Sequence, residues 1–212
     1  RKDSRLGYAR DLIPLLEEIL PDCVERDIKV ITNGGGVNPE SCSDAILALA
    51  QKLGIKNLKI GVVSGDDILG QVDDLHRQGI ELKNMETSEP LEGIQQRLES
   101  ANVYFGASPI AEALRMGAQI VVTGRTTDTG LTLAPMMYEF GWSEKDWDKL
   151  AAGTIAGHIL ECGGQASGGN FSGDWQSVPD LAHIGFPIAE AYPTGEVIIT
   201  KHAGTGGMVS VQ

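Results

Sequence analysis

At 212 residues the chain is long enough to bury one sizeable core, and its 42% apolar content is that of an ordinary globular protein. A formal net charge of −12 argues against a nucleic-acid binder, which needs a basic surface, and disfavours an anionic membrane as partner. No run of about 18 apolar residues is present, so no membrane span is expected, and the odd set Cys23, Cys42 and Cys162 lacks both metal-type spacing and a disulfide framework.

The first residues are charged and lack the apolar core of a signal peptide, and with a disulfide framework not expected the cytoplasm is the default expectation. Helical periodicity is already under way at Tyr8, and the chain reads as a segment of a longer domain. Residues 7–20 read as an amphipathic helix with Leu12, Leu15, Leu16 and Ile19 on one face, Pro14 in its first turn and Pro21 as its terminator. A strand over 28–32 runs into Asn33-Gly-Gly-Gly-Val-Asn38. Asn38 then caps a helix with Pro39 at its first position, reaching about Leu53.

A second strand, 58–63, leads into Ser64-Gly-Asp-Asp67 and a helix reaching His76. The pattern weakens from Ile80 to Glu99, with a turn at 87–90 and a short helix after it. Two further strands are expected at 101–105 and 119–123, each apolar, β-branched or aromatic, and each ending at a glycine, Gly106 and Gly124. Between them Ser108 and Pro109 start a helix that Gly117 ends, so the pair reads as a parallel unit with a right-handed crossover. Residues 143–162 contain an acidic helix start followed by a small-residue run at 151–157, suited to close packing. Beyond it, 163–173 is a glycine-rich polar loop, and 186–192 with 196–200 flank a turn and read as a β-hairpin. The fold expected is α/β: one domain over 1–212 with a parallel, Rossmann-like open sheet, flanking helices, and a loop-and-hairpin extension over 163–212.

In an open parallel sheet, ligands bind beyond the carboxyl ends of the strands, where helix starts offer amides to an anion. The residues at that rim are Asn33, Gly34, Gly35, Gly36, Asn38, Gly65, Asp66, Asp67, Gly106, Ser108, Thr123, Gly124 and Arg125. No dinucleotide or P-loop fingerprint is present, so no cofactor is assigned. Arg125 can clamp a carboxylate or phosphate, and Asp128 can act as a base; equally, Asp128 can belong to a helix start with Arg125 as its ion-pair partner.

His158, Glu161 and Cys162 fall on one helical face, which suits metal binding or an imidazole-activated thiol, or a helix end in which Glu161 satisfies the His. The loop that follows adds Gln165, Ser167 and Asn170, and Lys201 and His202 supply a further cationic contact or are exposed hairpin residues. Asn170-Phe-Ser172 matches a glycosylation sequon and is read as chance.

Several strings together, Thr32-Asn-Gly-Gly-Gly-Val-Asn-Pro39, Ser64-Gly-Asp-Asp67, Ala101-Asn-Val-Tyr-Phe-Gly106, Val122-Thr-Gly-Arg125, His158-Ile-Leu-Glu-Cys-Gly163 and Gly168-Gly-Asn170, resemble the acyclic terpene utilisation AtuA family over essentially the whole chain. The resemblance implies a cytoplasmic role in bacterial catabolism of citronellol- and geraniol-type terpenes, whose intermediates are acyl-CoA thioesters. It brings no catalytic residues with it.

The expectation is therefore an enzyme acting on a branched acyl-CoA or its carboxylate. Arg125 would be the clamp, Asp128 or His158 the general base with Glu161 beside it, and Cys162 a nucleophile, with lyase and thioester chemistry both open. A non-catalytic acyl-CoA-binding subunit is the alternative, and a metal-dependent hydrolase using Asp66, Asp67 or His158 a third reading. The partner expected is a small molecule such as a CoA thioester, with no nucleic acid and no membrane. The glycine-rich surfaces and hairpin suit a homodimer.

Overall fold

Three apolar strands and two amphipathic helices make the first layer of the protein. A computed structural model describes residues 5–210. Strands β1 (Val30–Thr32), β2 (Ile60–Val63) and β3 (Ile120–Thr123) form a parallel sheet in the order β1-β3-β2, with Val30 and Ile60 both opposite Ile120. The last strand in sequence is thus central, and each of its residues, Ile-Val-Val-Thr, is buried. Helices α1 (Leu12–Glu25) and α2 (Pro39–Lys52) share a core with it. Leu16 and Leu20, Cys42, Ile46 and Leu49, and Ile120 and Val122 form one buried cluster. Each such aliphatic side chain contributes roughly 1.5–3 kcal/mol by leaving water.

The chain divides into two compact units. One is the chain up to Phe105 with Gln119–Thr126; the other is Gly106–Ala118 with everything from Thr127 onward. The second unit holds α4 (Ser108–Arg115), α5 (Gly130–Phe140), α6 (Trp147–Glu161) and the antiparallel hairpin β4 (Pro187–Ala191) with β5 (Val197–Lys201). The small residues of α6 let it lie close on α5. A β-carbon at Gly157 would stand 2.9 Å from the Cα of Thr129, at the start of α5, so only glycine fits there. Trp142, 2% exposed, closes this unit by donating Nε1–H to the Pro193 carbonyl in the hairpin turn at 3.1 Å.

The described residues thus form a mixed α/β protein with a three-stranded parallel sheet, six α-helices and a hairpin. α3 (Val72–Arg77) is short and follows a 3-10 turn. Among the described residues no helix is long and apolar enough to cross a membrane.

Four local expectations need correction. Residues 101–105 are not a strand: Asn102 and Phe105 make single bridges to Asp67 and Thr126. The amides of Val103 and Phe105 bond to the Asp66 and Arg125 carbonyls, so the segment runs along loops beyond the strand ends. Pro21 does not stop α1, which continues to Glu25 because Leu16, Leu20 and Cys23 carry the buried stripe past it. Ser108 is the first residue of α4 rather than its cap, and its hydroxyl donates to Glu144 at 2.7 Å. The helix expected after Pro90 is a pair of 3-10 turns, Leu91–Gly93 and Gln95–Arg97.

Candidate functional site: the rim of the parallel sheet

The loop after β1 is held from within. The amide of Gly34 donates to Thr32 Oγ1 at 3.0 Å, that of Gly36 to the Asn33 carbonyl at 3.1 Å, and that of Asn38 to the Gly35 carbonyl at 2.9 Å. Val37 N–H goes to the Gly7 carbonyl at 2.8 Å. Asn38 caps α2 as its position predicts, accepting from Ser41 N–H at 3.2 Å. These bonds explain why the loop has its shape, and they leave few of its amides for a ligand.

The loops after β2 and β3 meet at Asp66. The residue is only 3% exposed, and its Oδ2 accepts from Asn102 Nδ2 at 2.9 Å and from the backbone N–H of Arg125 at 3.0 Å. Gly124 lies flat against the same carboxylate: a β-carbon there would stand 2.6 Å from Asp66 Cγ. Neighbouring Asp67 accepts from Leu69 N–H at 3.0 Å and so starts the 3-10 turn before α3. Thr123, fully buried, turns its hydroxyl onto the Gly124 carbonyl at 2.9 Å.

Arg125 leaves this anchor with its side chain exposed. Its guanidinium carbon lies 4.9 Å from the Tyr104 ring centroid, and Nη2 donates to the Tyr104 hydroxyl at 2.7 Å. Stacking and hydrogen bond together restrict a side chain that would otherwise sample many rotamers. Val37, Ser100, Asn102, Tyr104 and Arg125 line a cleft of about 690 Å³ at this rim. Of these, sequence reasoning named Arg125 and missed the others. Ser100, Asn102 and Tyr104 recur with period two, the signal of an extended segment showing one edge, and the apolar residues between them suggested a buried strand instead.

Gly65 stands in the loop after β2, its backbone left-handed at φ +102°, and the remaining candidates belong to the second unit. Asp128, His158, Glu161 and Asn170 are exposed, Gly106 is exposed with open space around it, and Cys162 is half-buried. Among the described residues no side-chain hydrogen bond joins His158, Glu161 and Cys162, and no group of His, Cys, Asp and Glu side chains is assembled to hold a metal ion. Gln165 is exposed, whereas Ser167 is fully buried, its hydroxyl without a partner among the described residues. Lys201 donates to the Thr205 carbonyl and hydroxyl at 2.8 and 2.7 Å, and so braces the end of the hairpin. Burial pushes the Cys42 thiol above its ordinary pKa, as expected of an inert core cysteine.

The family model described as acyclic terpene utilisation family protein AtuA matches residues 1–212, the whole chain. The chain belongs to the AtuA family. No curated protein and no solved structure is detectably similar to it. Membership places this protein in acyclic terpene utilisation. For an AtuA chain, the motifs around Gly34–Gly36, Asp66 and Arg125 all fall in the first unit, at the carboxyl ends of its three strands.

Proposed function

We propose that this AtuA-family chain is a cytoplasmic catabolic enzyme of citronellol- or geraniol-type terpene degradation that acts on a branched acyl-CoA or its carboxylate. The observation that carries the reading is the rim cleft, where Arg125 is braced on Tyr104 beside Asn102 and Ser100. A guanidinium held by stacking presents a planar pair of donors suited to a carboxylate or phosphate oxygen pair. Val37 and the Tyr104 ring, both exposed, supply apolar surface for a hydrocarbon chain. The expected location beyond the strand ends in a Rossmann-like arrangement agrees with this use. Asp128 and His158 are the candidates for proton transfer and Cys162 for a nucleophile, with lyase and thioester chemistry both compatible.

One observation favours a non-catalytic acyl-CoA-binding subunit instead. The described residues lining the cleft include no carboxylate, imidazole or thiol. Two measurements separate the readings. A thermal-shift panel with free CoA, isoprenoid acyl-CoAs and the matching acids tests binding; ligand at about 100-fold over Kd adds roughly 2.7 kcal/mol to native stability. Asp128→Asn and His158→Ala, assayed for turnover, then test catalysis. Loss of turnover with binding intact supports the enzyme. A stoichiometric partner protein with no turnover supports the subunit, and no shift with any thioester or acid overturns both.

A further inference from the structure

We infer that Asp66 is the positioning residue of the rim cleft, deciding which atoms Asn102 and Arg125 offer to a ligand. The inference rests on the reading of that cleft as the ligand site. An ionised carboxylate is an acceptor only. Because Asp66 Oδ2 takes the Asn102 Nδ2 donor at 2.9 Å, the Asn102 amide is turned with its NH2 inward, and its Oδ1 is the polar atom left for the cleft that it lines. The same oxygen takes the Arg125 backbone N–H at 3.0 Å, fixing the Cα from which the guanidinium reaches Tyr104. The Asp66 carbonyl takes Val103 N–H at 2.8 Å, which pins the stretch between Asn102 and Tyr104.

Two lining residues, Asn102 and Arg125, therefore take their placement from one buried side chain, and the stretch before Tyr104 is pinned by the main chain of the same residue. A carboxylate that served only to fill space would carry the desolvation cost of a charge without return. Here a ligand meets a cation and an acceptor in one cleft. That pairing complements an anion carrying its own N–H or O–H donor, and a CoA thioester, with phosphates and pantetheine amides, is of this class.

The decisive variant is Asn102→Asp, on the full chain. It sets a second carboxylate against Asp66 Oδ2; at pH 8 both are ionised and repel, and one proton taken up at lower pH restores the donor that the amide supplied. The Asp67 carboxylate and the Arg125 guanidinium are the same in every arm. With citronellyl-CoA as probe, the variant is expected to bind at least tenfold more weakly than wild type at pH 8 and to recover most of that loss by pH 5.5, while wild type changes little between the two.

A ligand-free readout runs alongside: the Arg125 backbone amide, slow to exchange in wild type, loses protection in Asn102→Asp at pH 8 and in Asp66→Ala, while the β3 amides keep theirs. Affinity and Arg125 protection, taken relative to the intrinsic exchange rate at each pH, that are both independent of pH in Asn102→Asp overturn the inference. If wild type binds no thioester at all, the reading of the cleft fails, and Arg125 exchange alone decides the role of Asp66. Should Asp66→Ala fail to fold, Asn102→Asp at the two pH values carries the test.

Discussion

Gly124 and Asp66 are packed so closely that the space of a β-carbon on the one is taken by the carboxylate of the other, 2.6 Å from that position to Cγ. Asp66 can be buried with its two donors because nothing projects from Gly124. Gly124→Ala forces either the carboxylate out of place or the loop after β3 outward. Overpacking of this kind costs about 1–3 kcal/mol. Urea denaturation should show a lowered midpoint with an unchanged slope, and weaker retention of any ligand bound by Arg125. A midpoint equal to wild type would mean that the loop yields freely.

Tyr104→Phe separates the two ways in which Tyr104 holds Arg125. The ring face remains, 4.9 Å from the guanidinium carbon, and the 2.7 Å bond from Nη2 is lost. Tyr104 is 59% exposed, so stability should stay within about 0.5 kcal/mol of wild type. Affinity for an anionic ligand should fall by about threefold to tenfold, the equivalent of one ordinary hydrogen bond. Isothermal titration of both proteins with the same thioester reads this directly, and equal affinities would place the ligand elsewhere.

Trp142→Phe tests the second unit. The indole is buried against Phe140, ring centroids 5.4 Å apart, and its N–H meets the Pro193 carbonyl. Phenylalanine leaves both a void and a carbonyl without its donor, for a loss of about 2–4 kcal/mol. Trp147 and Trp175 are exposed, so the blue-shifted part of the emission should vanish with this substitution. Chemical denaturation followed by circular dichroism checks the energy.

What could be read from the sequence follows the strength of local rules. Ile120 to Thr123 were legible as a buried strand because four consecutive residues of that type have no other place to go. Asn38 with Pro39 was legible as a helix start because both capping preferences coincide there. Residues 101–105 satisfied the same strand pattern and failed, since their amides are taken by the Asp66 and Arg125 carbonyls. Long-range bonding of that kind leaves no trace in periodicity. Asp66 was legible as a rim residue, but that it faces Asn102 and Arg125 depends on contacts spanning 36 and 59 residues of chain, both towards the C-terminus. His158 and Glu161 lie on α6 and Cys162 is the residue that ends it, and helical spacing alone could not show that their side chains do not bond to one another.

The start of α6 carries a pH dependence whose sign is fixed by its geometry. Asp146 Oδ2 accepts from the backbone N–H of Ser143 at 2.7 Å and from its hydroxyl at 2.9 Å. The Ser143 backbone bond, then its hydroxyl, with Lys149 nearby, hold the Asp146 carboxyl below its ordinary pKa. A carboxylate depressed in the folded state adds stability that is fully present above the unfolded value of about 3.9 and is lost as the pH falls through the lower folded value. Acid should therefore loosen the turn 143–146 before the body of α6, where Gly153 and Gly157 are packed on Leu133 and Thr129. The Ser143 amide resonance should titrate with an apparent pKa below that of a free Asp, and Asp146→Asn should abolish the titration while retaining most of the helix. A Ser143 amide that titrates at the ordinary Asp value would mean that the bond is not held in solution. In that case the first turn of α6, with Trp147 exposed upon it, would owe its order to packing along the helix alone.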